Sequence, residues 1–295
     1  MTHALSGTFV EREADPHVER RALALGGSAR LRELTPFLRL GRWEELASAQ
    51  RWSRVVEELA LTGVVLVQLA ERATAAELLA SACRLGDPVR ETAPATQPFV
   101  ECEGFVLNIT ANHGMTQDVD LQPFGTSFLT LHTEGSGRAL REQPKRIILS
   151  CRSGDSDDDA SRTIVVPMKS VAAQLSNPDI EVLSHTRYRG QSGCPALCRV
   201  VDGRAVFSFR DFHRSPLEWE CSRPPGAGVE GVNLCIRRLL AAMYEYPNLC
   251  SVCWRPGGFL ILDNTLVFHG RSASRSRTPF KRHLQRVRLR GVSDS

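Results

Sequence analysis

The chain has 295 residues, enough for one large domain or two small ones, and its 42% hydrophobic content excludes wholesale disorder. A formal net charge of +4 is too small by itself to indicate a nucleic acid or an anionic membrane as partner. The nine cysteines are an odd number, and the N-terminal residues lack the apolar run of a secretory signal. We therefore expect free thiols, a cytoplasmic location and no membrane partner.

The first third of the chain alternates helical and strand patterns. Residues 1–28 are mixed polar and are expected to form a flexible N-terminal arm, with a single domain over residues 29–295. Amphipathic helical patterns occupy residues 31–60, and the β-branched run at 61–67 is typical of a buried strand. The spacing then predicts a helix over 74–85, which begins with Thr74 as its N-cap.

The rest of the chain is richer in short strands. Residues 89–131 alternate apolar stretches with turn residues, which indicates strands and loops at the rim of a pocket. The acidic run at 155–160 lacks the residue placement of a calcium loop, so a solvated hairpin tip is favoured. Further predictions are strands at 162–166, 259–263 and 287–289, a hairpin at Asp202-Gly203, and helices over 169–175 and 231–246. The fold class that follows is mainly β with α: a double-stranded β-helix (jelly roll) flanked by helices.

A candidate metal site combines His132 and Glu134 with the distant His269. In a strand, residues i and i+2 point to the same face, so His132 and Glu134 can reach one ion. His269 follows a buried strand, and Gly270 lets the backbone approach closely. Two imidazoles and one carboxylate are the ligand set for one face of a non-haem Fe(II). The alternative for H-x-E alone is a core histidine beside a surface acid, but the later His-Gly-Arg strengthens the metal interpretation.

Two other sequence features have competing interpretations. Cys250 and Cys253 could form a zinc or redox pair, although buried or incidental thiols are the simpler interpretation because no matching ligand pair is evident. Residues 271–290 contain eight basic residues, which suggests a nucleic-acid surface or a docking face for an acidic carrier protein. The nucleic-acid interpretation is disfavoured, because no aromatic residues alternate with the charges for base stacking.

Several motifs together resemble one enzyme family. The matching segments are, in chain order, LTGVVLV at 61–67, RLGDP at 84–88, LHTE at 131–134, PGGFLILDN at 256–264, HGR at 269–271 and RHLQRV at 282–287. In these motifs the chain resembles the clavaminate synthase-like branch of the taurine dioxygenase superfamily, the Fe(II)/2-oxoglutarate-dependent oxygenases. It departs from the family pattern at Gly258, where an acidic residue is usual, and over the lid segment 108–127.

The resemblance also implies roles for individual residues. Arg282 matches the arginine that pairs with the distal carboxylate of 2-oxoglutarate, and a guanidinium suits this role because it binds a carboxylate bidentately. Thr163 matches the hydroxyl residue that assists at the same carboxylate. Arg286 matches a position that contacts the substrate α-carboxylate. Arg210 and Asp211 are further candidates near the substrate, with a surface ion pair as the alternative.

The implied activity uses Fe(II), 2-oxoglutarate as co-substrate and O₂. It would hydroxylate or desaturate an unactivated C–H bond of a free amino acid or a small natural-product intermediate, as in antibiotic biosynthesis and other bacterial secondary metabolism. Glu134 fills the coordination position that halogenating relatives leave vacant for chloride. Two alternatives remain open: the same chemistry on an aminoacyl group tethered to a carrier protein, and a non-catalytic binding protein on this scaffold.

Overall fold

The structure is a computed structural model, and it describes residues 4–111, 118, 120–154, 160–275 and 282–291. Within these ranges the helices are α1 Pro16–Leu25, α2 Trp43–Ala47, α3 Ala49–Thr62, α4 Ala75–Ala82, α5 Met168–Ala172, α6 Asn177–Ser184 and α7 Gly228–Met243. The first nine strands are β1 Leu5–Phe9, β2 Arg32–Glu33, β3 Leu38–Leu40, β4 Val64–Leu69, β5 Asp87–Val89, β6 Val100–Glu101, β7 Val106–Thr110, β8 Leu129–His132 and β9 Arg146–Ser153. The other nine are β10 Thr163–Pro167, β11 Thr186–Tyr188, β12 Cys198–Val201, β13 Arg204–Phe207, β14 Leu217–Cys221, β15 Cys250–Val252, β16 Gly258–Asp263, β17 Val267–Arg271 and β18 His283–Arg290.

Two large sheets form the centre of the fold. The larger has the order β3-β4-β16-β9-β18-β7-β6, with β5 paired to β18, and the smaller has the order β2-β15-β10-β17-β8. Apolar side chains from both sheets, such as Leu260 of β16 and Val165 of β10, pack in one buried cluster between them. This is the jelly-roll core flanked by helices that the sequence predicted.

Strand alternation places the layers. On β16, Leu260 and Leu262 point between the two sheets, whereas Phe259 and Ile261 point to the outer face. Helices α2, α3 and α4 cover that outer face, and their side chains include Trp43 of α2. Every residue of β16 is buried, because the strand is covered on both faces and has a neighbouring strand on each edge. The buried strand predicted at 259–263 is therefore confirmed.

The N-terminal segment differs from its prediction as a flexible arm. Over the described residues, β1 pairs antiparallel with β14, and α1 packs against α7. Phe9 and Leu25 are buried in the same cluster as Trp219. The few apolar residues of this segment are widely spaced, so the sequence gave little indication of a strand or a helix. In the structure β14 and α7, which are distant in sequence, pack against β1 and α1. That residues 29–295 form one domain stays a prediction.

Local signals were more dependable for turns and caps than for short edge strands. Thr74 caps α4 in a reciprocal capping box with Glu77, and Asp202 and Gly203 both take positive φ in the hairpin turn. The helical pattern predicted over 31–60 is wrong at β2 and β3, which pair in parallel with β15 and β4 because tertiary pairing overrides local propensity. The acidic residues 155–159 lie outside the described residues. No helix among the described residues has the length and apolar character needed to cross a membrane.

Candidate metal and co-substrate site

A cavity of about 420 Å³ opens where the smaller sheet faces the larger one. Its walls come from β8, β10 and β17 on one side and from β9 and β18 on the other. The volume is in the range of about 300–1,000 Å³ that is typical of small-molecule sites. Ile147, Leu149 and Leu284 give the cavity an apolar surface, and arginine, glutamate and aspartate make up half of its polar lining.

The three predicted metal ligands meet in this cavity. The Oε2 atom of Glu134 lies 3.7 Å from Nε2 of His132 and 3.9 Å from Nε2 of His269. The three candidate ligand atoms all lie within 4.8 Å of one another. The two imidazole rings are 4.4 Å apart, centroid to centroid. One ion could therefore contact all three side chains.

Backbone pairing brings the ligands together. His132 at the end of β8 and His269 on β17 are directly opposed residues of the antiparallel pair, next to a register shift. The close approach predicted at Gly270 is confirmed, since a Cβ there would lie 2.7 Å from the carbonyl oxygen of Leu129. Asn264 fixes the third ligand: its Oδ1 accepts the backbone N–H of Glu134 at 2.8 Å. The geometry of the site is thus set mainly by strands.

The two histidines are suited to bind a cation through Nε2. Nδ1 of His132 lies 2.8 Å from the carbonyl oxygen of Thr130, so Nδ1 carries the proton and Nε2 presents its lone pair. Burial, together with the nearby His132, lowers the pKa of His269 to about 3. His269 is therefore neutral at physiological pH, as metal binding requires.

This burial predicts a pH dependence for the metal-free protein. Residue 269 titrates near pH 6.5 in the unfolded chain and near pH 3 in the folded one, so only the unfolded chain binds the proton between those values. The free energy of unfolding should fall as the pH falls from 6.5 towards 3, by up to about 1.4 kcal/mol per pH unit from this group. Urea denaturation of the metal-free protein at several pH values measures the slope, and His269→Gln should make it shallower. An equal slope in both proteins would contradict the prediction.

A buried ionic cluster holds the carboxylate of the candidate metal ligand Glu134. The Oε1 atom of Glu134 accepts hydrogen bonds from Arg286 and Arg288, each at 3.3 Å, so its Oε2 remains directed at the histidines. Glu91 completes the cluster, with Oε1 on Arg286 at 3.0 Å and Oε2 on Arg288. Burial alone would raise the pKa of Glu134, but the charge of Arg286 and the other neighbours hold it well below its ordinary value. Glu134 is consequently a carboxylate before any metal binds.

The cluster changes the interpretation of Arg286. The sequence assigned this residue to the substrate α-carboxylate, but its guanidinium binds Glu91 and Glu134 instead. This arrangement therefore does not support a direct contact between Arg286 and the substrate. Glu91 and Arg288 were missed by the sequence argument. The spacing of Arg286 and Arg288 on one strand signalled a shared face, but nothing near them in sequence indicated Glu91.

The predicted 2-oxoglutarate residues line the same cavity, Thr163 from the start of β10 and Arg282 from the position before β18. Arg282 is buried, and its guanidinium donates to Ser161 Oγ at 3.2 Å and to the carbonyl oxygen of Pro123 at 3.1 Å. Burial lowers the pKa of Arg282 to about 10, so it remains a cation at neutral pH. Thr163 lies opposite Arg271 on the neighbouring strand, and its hydroxyl accepts a hydrogen bond from Trp254 at 2.9 Å.

Arg210 and Asp211 point in different directions. Arg210 lines the cavity, and its guanidinium donates to Gln122 Oε1. Asp211 is 2% exposed, does not line the cavity, and binds Arg21 through both carboxylate oxygens at 3.1 Å. It also accepts the hydroxyl of Tyr244 at 2.7 Å. Asp211 is thus buried and bound to Arg21 and Tyr244, so the prediction of a surface ion pair is wrong, and this geometry does not support the predicted substrate contact.

Half of the basic residues in the run 271–290 point into the cavity. Arg271 donates to the carbonyl oxygens of Gln122, Pro123 and Ser127, and it lines the cavity with Arg282, Arg286 and Arg288. Four of the eight basic residues therefore face the cavity and are not available to a phosphate backbone. This arrangement gives half of the run a place in the cavity, and the absence of a nucleic-acid partner stays a prediction.

Solved structures share this architecture. Superposition on an asparagine oxygenase in complex with Fe(II), a hydroxyasparagine and succinate gives a TM-score of 0.62 at 20% identity, over 84% of this chain and 81% of that one. A taurine dioxygenase from Burkholderia xenovorans gives 0.62 at 16% identity, over 89% and 90%. The non-heme iron oxygenase OrfP in complex with Fe and alpha-ketoglutaric acid gives 0.57 at 19% identity, over 82% and 78%. The chain has the fold of these oxygenases.

Sequence comparison adds nothing to this result: no family model matches the chain, and no curated protein sequence matches it. At 16–20% identity the likeness to the solved structures is one of fold. The identity of the reaction must therefore be argued from the side chains in the cavity.

Proposed function

We propose that this protein is an Fe(II)/2-oxoglutarate-dependent oxygenase that hydroxylates or desaturates an unactivated C–H bond of a small molecule. The observation that carries the proposal is the meeting of His132, Glu134 and His269 in one cavity with the buried cation of Arg282. The solved oxygenases of the same fold, in complex with iron and with succinate or alpha-ketoglutaric acid, support this choice of cofactors.

The residues of the cavity fit an iron ion. Two neutral imidazoles and one carboxylate form the facial ligand set that leaves the remaining coordination positions open to other ligands. Nδ1 of His269 has no hydrogen-bond partner among the described residues, and Nε2 faces the other two ligands. Bound Fe(II), together with 2-oxoglutarate and O₂, would supply the oxidising power needed to break a C–H bond.

The part of the cavity beside Arg282 fits a dicarboxylate. Arg282 and Arg271 are two buried guanidinium groups; burial lowers the pKa of Arg271, and repulsion between the two charges lowers it further. A carboxylate bound at Arg282 would compensate that repulsion, and the Thr163 hydroxyl lines the same part of the cavity. We assign these two residues to the distal carboxylate of 2-oxoglutarate.

The protein's own contribution is positioning. Arg286 and Arg288 hold one oxygen of Glu134, so that the other oxygen stays directed at the metal position. Ile147, Leu149 and Leu284 present an apolar surface that limits water near the reacting centre. The substrate is a free, amino-acid-like small molecule of secondary metabolism, supported by the hydroxyasparagine and hydroxyarginine held by solved proteins of this fold. We place the enzyme in the reducing cytoplasm, in keeping with its free cysteines.

The proposal predicts an anaerobic spectroscopic signal. Fe(II) and 2-oxoglutarate added to the metal-free protein should give the weak visible charge-transfer band of the chelate. Arg282→Ala should weaken 2-oxoglutarate binding at least about thirtyfold, because a charge-assisted pair worth about 2 kcal/mol is lost. Titration of the band with 2-oxoglutarate measures the affinity.

Two further variants make this test decisive. Arg290→Ala removes an exposed arginine at the far end of β18, the strand that follows Arg282, and should leave the titration unchanged. Arg282→Lys keeps a buried cation and should bind 2-oxoglutarate more tightly than the alanine variant. Such a recovery would show that the weak binding of Arg282→Ala comes from the lost charge and not from misfolding. No band in well-folded wild type would overturn the oxygenase proposal and would favour a binding protein on the same scaffold.

A further inference from the structure

The cavity has an unbalanced charge. Six arginines line it, Arg138, Arg210, Arg271, Arg282, Arg286 and Arg288, against three acidic residues, Glu91, Asp120 and Glu134. Fe(II) and 2-oxoglutarate carry opposite charges of equal size, so binding both leaves the excess unchanged. The substrate therefore enters a site whose remaining charge is positive.

Most of these arginines already have partners. Arg286 and Arg288 share Glu91 and Glu134, so this cluster of two cations and two carboxylates is balanced. Arg271 is held by three backbone carbonyl groups of residues 122–127. Arg282 has its assigned role at 2-oxoglutarate, and Arg138 is exposed to solvent at the mouth. Arg210 is left.

Arg210 is a half-buried cation with a neutral partner. Its guanidinium donates to the side-chain oxygen of Gln122, and the described residues include no carboxylate within 4.0 Å of it. Burial lowers its pKa, which reflects the cost of holding this charge away from water. The residues missing from the described ranges between β7 and β8, 112–117 and 119, contain no aspartate or glutamate.

Backbone contacts place Arg210 beside the metal position. It pairs with His132 in an isolated antiparallel bridge, and its N–H donates to the Tyr188 hydroxyl at 2.9 Å. Its side chain lines the cavity that the three candidate ligands share, and the charge of Glu134 acts on its guanidinium, so a group bound there would lie near those ligands. The acidic residues offer no equivalent for a cationic group, because Glu91 and Glu134 are engaged and Asp120 is exposed.

We propose that Arg210 binds an anionic group of the substrate, and that the substrate enters as a net anion such as an acidic amino acid. This inference rests on the proposed function and specifies its substrate class. A cationic substrate such as arginine is excluded by it, since that substrate would bring a positive charge into an already positive cavity.

Matched acids and amides test the proposal. Isothermal titration calorimetry under anaerobic conditions, with Fe(II) and saturating 2-oxoglutarate, compares L-aspartate with L-asparagine, L-glutamate with L-glutamine, and L-arginine. Saturating 2-oxoglutarate keeps the acids out of the co-substrate site. We expect at least one acid to bind tenfold or more tightly than its amide, with L-arginine weaker than both. In Arg210→Gln the preference should fall to within about threefold.

Arg204→Gln is the matched control, because it removes an exposed arginine six positions earlier in the chain and should keep the preference for the acid. Equal or tighter binding of the amides or of L-arginine, no binding of either acid, or an unchanged preference in Arg210→Gln would overturn the inference. The charge-transfer band is recorded on the same samples. A normal charge-transfer band without a preference for acids would overturn only the proposed substrate class. An absent band would overturn the proposed function itself.

Discussion

Replacement of Glu134 by alanine is expected to lower the Fe(II) affinity at least about a hundredfold and to abolish turnover of 2-oxoglutarate. The variant removes a charged ligand, whereas loss of a partner that merely orients a ligand already costs about 10- to 100-fold in metal affinity. It should also lower the free energy of unfolding of the metal-free protein by on the order of 3 kcal/mol, because Arg286 and Arg288 would keep Glu91 alone as their acidic partner. Metal titration and urea denaturation measure the two effects.

His269→Ala separates these two effects. It removes a metal ligand of the same site but leaves the cluster of Glu134 with its two arginines intact. We therefore expect a comparable loss of Fe(II) affinity and a smaller loss of stability in the metal-free protein. Iron binding by Glu134→Ala at wild-type affinity would show that this carboxylate is not a ligand.

Asp211→Ala is expected to be the most destabilising substitution outside the metal site. The variant leaves Arg21, whose side chain is 4% exposed, with Glu11 as its remaining acidic partner, and it leaves the buried Tyr244 hydroxyl without its acceptor. Breaking a buried pair from one side costs about 3–5 kcal/mol. The melting temperature of the protein should fall by on the order of 10 °C. Differential scanning calorimetry measures the shift.

A surface acid provides the comparison. Glu218 pairs with Arg189 where both side chains are exposed, so Glu218→Ala should cost less than about 1 kcal/mol. An Asp211→Ala protein that melts like wild type but binds substrate poorly would instead restore the role that the sequence suggested for Asp211.

The meeting of the three candidate metal ligands was predictable because its signals are local. His132 and Glu134 are two residues apart at a strand end, and a glycine follows His269, so period-two geometry was enough to place them together. The jelly-roll fold followed in the same way from short apolar strands and the Asp202-Gly203 turn. These signals each lie within a few residues of chain.

The roles of the other charged residues were not predictable, because their partners are far away in sequence. Arg286 and its partner Glu91 are 195 positions apart, and Arg21 and Asp211 are 190 positions apart. A charged residue in a sequence indicates neither its burial nor its partner, so Arg286 was assigned to substrate and Asp211 to the cavity. The N-terminal segment was misjudged for the same reason, since β1 and α1 are ordered by contacts with β14 and α7.

The cavity is built from two kinds of chain segment. The histidine ligands stand on β8 and β17, which hydrogen-bond to each other across the smaller sheet. Arg210 and Gln122, by contrast, lie in connections between strands. Under the proposed function, substitution at these two positions would alter which molecule is selected while the two histidines keep their places on paired strands. The strands could then be retained during divergence while the connections that face the substrate change.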